Sequence, residues 1–284
     1  MVVRISKSAL IVVATVFILI CTAFNVVPAS SFPRQRNLPI VMYHQFTENP
    51  QKSGKYVLTL EQFEKDLQYL KSKGYQSVSI GQLLDFSQGK EDIPEKSVMI
   101  TFDDGNETLY EYALPLLKKY GFTAVGFVVG AFADYYTQIN DHNLGYSCLN
   151  WSQIKEMTEG SVIEIESHSY DLHKNNSNRS GIKKKKSESF EDYREFLSAD
   201  VSKMKTVMEN NTGKTPIAFA FPFGSFSPES TQILKECGFR ITMTCEEKVN
   251  KIKKAEPESL FGLGRYNRPE GISSENFFQK MGIC

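Results

Sequence analysis

The stretch SVMITFDDGNETLYEYALPLLKKYGFTAVGFVV, residues 97–129, carries the pattern that decides the fold. It opens with a short apolar run typical of a buried strand, Ser97 to Phe102, and it closes with a second such run, Thr123 to Val129. The segment between them, from about Glu107 to Tyr120, is predicted to be a helix that Gly121 ends. Together they predict two parallel strands joined by a helical crossover.

The same alternation of strands and helices continues on both sides of this unit. Towards the amino terminus, Pro39 to His44 is strand-like, and a capping-box pattern at Thr59-Leu60-Glu61-Gln62 begins a helix that Gly74 ends. Towards the carboxyl terminus, we predict helices at 151–158, 188–210 and 228–237, and strands at 161–166, 217–221, 240–244 and 260–266. About seven such units in one α/β domain favour a barrel. The alternative is a doubly wound open sheet, but no glycine-rich nucleotide-binding motif follows any strand.

The first residues of the chain have the pattern of an export segment. Arg4 and Lys7 precede an apolar run from Ala9 to Phe24, and Val27-Pro28-Ala29 resembles a small-residue cleavage site. Residues 1–29 are therefore predicted to be either a cleaved signal peptide or a retained N-terminal membrane anchor. Both alternatives place the rest of the chain outside the cytoplasm, as a secreted or membrane-anchored protein of the cell surface. Residues 30–37 are predicted to be a linker, and residues 38–284 the folded domain.

The composition narrows the classes of partner and of metal site. Of the 284 residues 41% are hydrophobic, which is enough for a substantial core, and the formal net charge is zero, so nothing indicates nucleic-acid binding. The cysteines outside the export segment are scattered, which argues against a cysteine-based zinc site. The polar segment Lys174 to Ser189, with lysines at 183–186, is predicted to be a mobile surface loop or a contact to an anionic polymer of the cell wall.

Two adjacent carboxylates, Asp103 and Asp104, follow the predicted strand at 97–102 and precede Gly105. Active sites of barrels gather at the carboxyl ends of the strands. Neighbouring strand residues point in opposite directions, but a turn that begins at Gly105 can bring both carboxylates towards one cavity. Carboxylates this close repel unless a cation or a shared proton compensates, so an Asp-Asp pair alone indicates either a metal site or a helix cap.

A histidine pair makes the metal site the favoured alternative. His168 and His173 follow the predicted strand at 161–166, and they are half of the four histidines of the chain. Two neutral imidazoles and one carboxylate form the three-ligand set of a catalytic zinc site, which leaves positions for water and substrate. Because both constellations end strands of one domain, we expect them to meet.

Three motifs in this order resemble those of the polysaccharide deacetylase family, carbohydrate esterase family 4. They are the Thr-Phe-Asp-Asp-Gly stretch at 101–105, the segment from His168 to His173, and Phe219-Ala220-Phe221-Pro222-Phe223-Gly224. The resemblance spans about Leu38 to Pro269. The opening Val41-Met42-Tyr43-His44 and the histidine spacing are similar to the branch that acts on poly-N-acetylglucosamine of biofilms. The resemblance implies a distorted (β/α)7 barrel, the NodB-homology fold, for the whole domain at 38–284.

The resemblance also implies a role for individual residues. Asp104, His168 and His173 would bind a divalent metal, usually zinc, and Asp103 would be the general base that deprotonates water. The backbone N–H of Phe223 would help to hold the tetrahedral oxyanion. The substrate would be the N-acetylglucosamine residues of a cell-surface polysaccharide.

The chain departs from the commoner family pattern at two positions. It has no histidine after His173, so the proton for the leaving amine is assigned to His44, as in the biofilm-polysaccharide branch. Ala220 stands where the family often has an arginine that orients the base, and Arg265 or Arg268 is the hypothetical substitute. Three aromatic residues are candidates for stacking on sugar rings, with a place in the core as the alternative: Tyr43, Phe221 and Phe223.

The leading interpretation is a metal-dependent N-deacetylase acting on poly-N-acetylglucosamine or on peptidoglycan. The alternatives are an O-acetyl esterase of a glycan and a non-catalytic glycan-binding protein of the cell wall. A glycoside hydrolase also uses two carboxylates, but it needs them roughly 5–10 Å apart, and adjacent Asp103 and Asp104 are too close.

Overall fold

The computed structural model of the chain describes residues 35–177 and 179–284. The predicted export segment at 1–29 and residues 30–34 of the predicted linker therefore lie outside the described residues. None of the helices in the described ranges combines the length and the apolar character that a membrane crossing requires.

The strands of the described part are, in chain order, β1 (Gln35–Leu38), β2 (Ile40–Tyr43), β3 (Gln45–Thr47), β4 (Val57–Thr59), β5 (Gln76–Ser77), β6 (Ser97–Phe102), β7 (Ala124–Val128), β8 (Ile163–Ser167), β9 (Ala218–Ala220), β10 (Ile241–Met243), β11 (Asn250–Lys253) and β12 (Tyr266–Asn267). The α-helices are α1 (Leu60–Ser72), α2 (Ile80–Ser87), α3 (Leu114–Tyr120), α4 (Gly130–Ile139), α5 (Trp151–Gly160), α6 (Phe190–Thr212), α7 (Pro228–Glu236) and α8 (Ser274–Lys280).

Seven strands of the described residues form one row of parallel neighbours in the order β10-β9-β8-β7-β6-β2-β12. Residues 263–267 connect the two ends of this row. Leu263 forms a parallel bridge with Met243 of β10, and Tyr266 of β12 pairs with Val41 of β2. The sheet therefore curls on itself, which confirms the predicted distorted barrel of seven strand–helix units.

Burial on both faces explains why β6 has an apolar run rather than an alternating pattern. Val98, Ile100 and Phe102 pack with side chains of the surrounding helices. Met99 points the other way and packs with residues of the barrel interior, such as Phe127 of β7. A parallel strand that is covered on both faces needs apolar side chains at successive positions.

The predicted helix starts and stops have their expected chemistry. The Thr59 hydroxyl accepts a hydrogen bond from the Gln62 amide (3.2 Å) at the start of α1. Only half of the predicted capping box forms, because the Gln62 side chain donates to Asp66 (3.1 Å). Gly74, just after this helix, has a φ of +74°, a conformation that favours glycine. The long amphipathic helix predicted at 188–210 is α6.

Three predicted segments differ from the structure. The strand predicted at 260–266 is present only as β12, which begins at Tyr266, because Pro257–Leu260 forms a 3-10 helix and Gly262 has a φ of +73°. The helix predicted at 107–120 begins as a π-helical turn at Leu109–Ala113, and α3 follows it. The regular α-helical hydrogen bonding is interrupted because Pro115 has no backbone N–H to donate. Residues 35–37, assigned to the linker, form β1, which pairs antiparallel with β11. Backbone hydrogen bonds hold these two strands together. Such a pair does not require a run of apolar side chains, so the sequence gives no signal for it.

The lysine-containing segment before α6 is fastened to the domain. Ile182 is fully buried, and its carbonyl accepts a hydrogen bond from the Tyr193 hydroxyl (2.8 Å). Arg179 forms an ion pair with Glu188 (2.5 Å). Lys183, Lys185 and Lys186 are exposed around this anchor, so the surface location is as predicted, but the mobility that we expected for the segment does not fit its buried contacts.

Candidate metal centre and catalytic pocket

An open pocket of about 520 Å³ lies at the carboxyl ends of the parallel strands. It brings together residues separated by up to 225 positions in the chain, which are Met42, His44, Lys55, Tyr56, Asp103, Asp104, His168, His173, Phe223, Cys245, Glu247 and Asn267. This is the end of a barrel at which catalytic groups gather. The sequence-predicted residues Asp103, Asp104, His168 and His173 meet here.

Three of these side chains present donor atoms to one point. The Asp104 Oδ1 lies 3.0 Å from the His173 Nε2 and 3.5 Å from the His168 Nε2. The ligand atoms of the three residues all lie within 4.8 Å of one another. One carboxylate oxygen and two imidazole nitrogens form the set that catalytic zinc sites use.

A backbone turn explains how two adjacent aspartates reach the same cavity. Asp103 ends the run of β6, where its amide donates to the Tyr43 carbonyl (3.0 Å). Asp104 and Gly105 both have a φ of +69°, in the left-handed region. The turn therefore begins at Asp104, one residue earlier than predicted, and it redirects a side chain that an extended strand would point away. A Cβ at position 105 would lie 3.0 Å from Val128, so glycine is needed there.

Hydrogen bonding sets the tautomer of the buried ligand. The His168 Nδ1 lies 2.8 Å from the Ala220 carbonyl oxygen of β9. A carbonyl only accepts, so the Nδ1 carries the proton and the Nε2 keeps its lone pair for a cation. The other imidazole is held by rings, since His173 lies 4.3 Å from Phe223 and 6.0 Å from Phe132, measured between ring centroids.

The charge of the cluster fits a cation. Burial alone would raise the pKa of the Asp104 carboxyl, but the adjacent imidazoles of His168 and His173 hold that pKa well below its usual value. Asp104 is therefore an anionic ligand beside two imidazoles, and the donor set suits a divalent metal of the zinc type.

Asp103 is held by a buried arginine. Arg265 places its Nη1 2.6 Å from the Asp103 Oδ1 and its Nη2 2.7 Å from the Oδ2, and both side chains are buried. Burial would raise the pKa of Asp103, but the charges of Arg265 and His168 lower it, so the carboxylate is anionic. Of the two arginines that the sequence left open, Arg265 takes this position, while Arg268 pairs with Asp66.

His44 also lines the pocket, beside the Tyr56 ring at 4.9 Å between centroids. Its Nδ1 is buried and has no hydrogen-bond partner among the described residues. Burial lowers the pKa of His44, against the opposite effect of the Asp103 and Asp104 charges. An imidazole of this kind is available to exchange a proton with a bound substrate.

The aromatic candidates separate into core and pocket residues. Tyr43 is buried, and its hydroxyl donates to Asp66 (3.0 Å), so its predicted stacking on a sugar is wrong. Phe221 is likewise in the core. Phe223 is 45% exposed at the pocket, with a φ of +60°. Tyr56, to which no sequence motif pointed, also lines the pocket with an exposed ring.

Comparisons with known proteins identify the family of this chain. The profile of the family described as Polysaccharide deacetylase matches residues 90–242, more than half of the chain. A poly-beta-1,6-N-acetyl-D-glucosamine N-deacetylase of Staphylococcus epidermidis is 30% identical over 68% of this chain and 63% of its own length. The protein of the same name from Staphylococcus aureus is 29% identical over 72% of this chain. The chain spans only 66% of the length of that relative.

Solved structures show the same fold. IcaB from Ammonifex degensii superposes with a TM-score of 0.68 at 26% identity, over 87% of this chain and 96% of that one. The Streptococcus pyogenes deacetylase PplD has a TM-score of 0.69 at 23% identity, over 86% of this chain and 98% of that one, a likeness that concerns the fold alone. With its barrel, its three motifs and the profile match, this chain belongs to the polysaccharide deacetylase family.

Proposed function

We propose that this protein is a metal-dependent hydrolase that removes N-acetyl groups from the N-acetylglucosamine residues of a cell-surface polysaccharide, with poly-N-acetylglucosamine as its substrate. The substrate follows the names of the curated relatives. The observation that carries the proposal is the position of Asp103, a buried carboxylate held by Arg265 and 4.0 Å from the Nε2 of His168.

Asp104, His168 and His173 would hold the metal, which we propose to be zinc. A divalent cation bound there supplies Lewis-acid polarisation of the acetyl carbonyl and lowers the pKa of water. The hydrogen bond from His168 to Ala220 keeps the imidazole in the tautomer and orientation that binding requires.

Asp103 acts as the general base. Its carboxylate is anionic and aimed by two hydrogen bonds from Arg265, so it can take a proton from the attacking water without turning away. The water oxygen then bonds to the acetyl carbon, and the amide N–H of Phe223 stabilises the negative oxygen that develops.

His44 acts as the general acid. When the bond between the carbonyl carbon and the nitrogen breaks, the departing amine needs a proton, and the His44 imidazolium supplies it. Burial lowers the pKa of His44, which makes its imidazolium a stronger acid towards the amine but reduces the protonated fraction at neutral pH. The products are acetate and a glucosamine residue of the polymer.

A test of the proposal combines metal content with acetate release. The purified full chain is assayed for bound metal by atomic emission and for acetate released from oligomers of β-1,6-linked N-acetylglucosamine. We expect zinc at about one ion per chain, release that stops with a chelator, and an Asp103→Asn variant that keeps the metal but loses activity.

An Asp104→Asn variant is the matched control, because it should lose both metal and activity. Acetate release that survives chelation would contradict the proposal. Release from O-acetylated glycans but not from N-acetylated ones would favour an O-acetyl esterase instead.

The proposed location is the cell surface, because the polysaccharide substrate is there. It rests on the export pattern of residues 1–29, which the sequence carries. Fractionation of cells that express the full chain tests it, and recovery of the protein in the cytoplasmic fraction alone would contradict it.

A further inference from the structure

Helix α4 carries a row of apolar side chains, of which only Phe132 contacts the metal site described above. Tyr135, Tyr136 and Ile139 lie three, four and seven residues after Phe132, which places the four side chains on one face of the helix. The opposite face carries Asp134, whose carboxylate accepts hydrogen bonds from the Trp151 Nε1 (2.7 Å) and the Tyr170 hydroxyl (2.8 Å). Ala133, on the flank of the helix, is buried in the core. The row therefore points away from the core.

Phe132 and Tyr136 are half-buried, but the other side chains of this surface are open to solvent. Tyr135 is 54% exposed and Ile139 is 42% exposed. Tyr146, in the loop that follows the helix, is 56% exposed. The two tyrosines have the largest exposed fractions of any large hydrophobic residue in the described ranges. A cluster of exposed aromatic rings on one surface is a sign of a binding site.

Two of these rings, those of Tyr136 and Tyr146, are held in place by hydrogen bonds. The Tyr146 hydroxyl donates to Asp141 (2.7 Å), and the Tyr146 carbonyl accepts from the Tyr136 hydroxyl (3.1 Å). The loop is fastened to the barrel, since Gln45 donates to the Leu144 carbonyl (3.0 Å). Rings that are already ordered lose little conformational entropy when a ligand binds.

The row is continuous with the catalytic pocket. The Phe132 ring meets the ring of the metal ligand His173 at 6.0 Å and an interplanar angle of 70°. From Phe132 to Ile139 the helix advances by roughly 10 Å. The loop beyond it reaches Gln45, next to His44. A chain molecule that places one unit in the pocket can therefore lay further units along α4.

We infer that Phe132, Tyr135, Tyr136, Ile139 and Tyr146 form a remote subsite that binds sugar rings of the polysaccharide beyond the one that is deacetylated. This inference rests on the proposed function. Pyranose rings have an apolar C–H face that stacks on tyrosine, and hydroxyl groups at their edge that reach polar partners such as Asp141. The occupant is thus a carbohydrate chain, and the subsite favours long polymers over short ones.

The experiment compares a disaccharide with a hexasaccharide of β-1,6-linked N-acetylglucosamine, using the full chain loaded with zinc. We expect Tyr135→Ala and Tyr146→Ala to lower kcat/KM for the hexasaccharide about tenfold, equivalent to roughly 1.4 kcal/mol of lost binding. Their kcat/KM for the disaccharide should be unchanged. Tyr135→Phe keeps the ring and should retain the preference for the hexasaccharide.

A tyrosine at the other end of the barrel gives a matched control. Tyr120 lines a cavity of about 820 Å³ at the amino-terminal ends of the strands, so Tyr120→Ala should leave the preference for the hexasaccharide unchanged. Equal losses on both substrates in Tyr135→Ala, or no loss on either, would overturn the inference. The inference would also be overturned if the wild type were a dimer that Tyr135→Ala dissociates while kcat/KM for the hexasaccharide stays unchanged. The row would then bind a second copy of the chain.

Binding without turnover separates this inference from the proposed function. Calorimetric titration of the metal-free chain with the hexasaccharide should show weaker binding by Tyr135→Ala than by the wild type. If the wild type releases no acetate but shows this difference, the proposed hydrolysis fails and the subsite stands. Equal binding by both proteins refutes the subsite whatever the activity.

Discussion

Replacement of Arg265 by methionine tests whether the buried ion pair at the pocket serves catalysis. Arg265 makes two hydrogen bonds to Asp103, at 2.6 and 2.7 Å, and a third to the Thr244 carbonyl at 3.1 Å. Methionine fills much of the same volume without charge. The change leaves the Asp103 carboxylate buried without its arginine.

The expected loss of stability follows from this burial. Removal of one partner from a buried ion pair costs about 3–5 kcal/mol, because the remaining charge stays desolvated. For a domain of this size each kcal/mol lowers the melting temperature by about 2–4 °C, so Arg265→Met should melt about 6–20 °C below the wild type. The catalytic loss should be larger than stability explains, since a misplaced base costs about 100-fold in rate.

The chain contains a matched control three residues away. Arg268 is also buried, and it pairs with the buried Asp66 through its Nε at 2.8 Å and its Nη2 at 3.0 Å. That pair lies in the core and lines no part of the pocket. Arg268→Met should lose similar stability but keep kcat/KM within about threefold of the wild type, because no group at the reacting centre moves.

The assay is acetate release at a temperature at which both variants are folded, with melting followed by circular dichroism. Equal losses of activity in Arg265→Met and Arg268→Met, at equal folded fractions, would show that the Arg265–Asp103 ion pair has no catalytic role. The same conclusion would follow if Arg265→Met had the melting temperature of the wild type and retained full activity. An Asp103→Asn, Arg265→Met double variant should lose less stability than the sum of the single variants, since no charge remains unpaired.

Three further predictions concern the acid, the backbone and a pH effect. His44→Gln should lower kcat for N-acetyl substrates about 100-fold but hardly affect an activated acetyl ester, whose leaving group needs no proton; equal losses on both would contradict the role of the acid. Gly224→Ala should lower the free energy of unfolding, measured with urea, more than Gly213→Ala does. Both glycines have a positive φ, but only a Cβ at position 224 would collide with Cys245, at 2.8 Å. Equal losses of unfolding free energy in the two variants would contradict this. The hydrogen bond to Glu107 raises the pKa of His142 above its ordinary value of 6.5, so the pair stabilises the fold fully below pH 6.5 and less as the pH rises through the folded-state pKa. Histidine titration by NMR should show the raised pKa in the wild type and its loss in Glu107→Gln, and an unchanged titration in that variant would exclude the pair.

Two features that we did not predict, the start of α2 and the separation of Tyr43 from His44, can be recognised in the sequence. Ser79 and Gln82 repeat the capping-box spacing of Thr59 and Gln62, and they form a complete box at the start of α2. Strand alternation could have separated Tyr43 from His44, because neighbours in a strand point to opposite faces. The tyrosine accordingly lies in the core and the histidine at the pocket.

Helix α4 had no such signal. Its N-cap residue, Val129, makes no side-chain cap hydrogen bond, and the apolar run of β7 continues into the helix without a polar break. Sequence periodicity therefore could not show where the strand ended. The aromatic row of this helix becomes apparent only when the helix and its following loop are placed beside His173.

Most of the order of strands and helices, and the local motifs that end β6 and β8, could be predicted from the sequence alone. Those features depend on residues close together in the chain, whose periodicity and turns are set by local stereochemistry. The sequence also placed Asp103, Asp104, His168 and His173 at strand ends, from which parallel pairing brings them together. Tertiary structure alone decided that Arg265 rather than Arg268 holds Asp103, a contact across 162 residues. That choice depends on how the last strand closes the barrel, and no local pattern in the chain encodes the distance between its two ends.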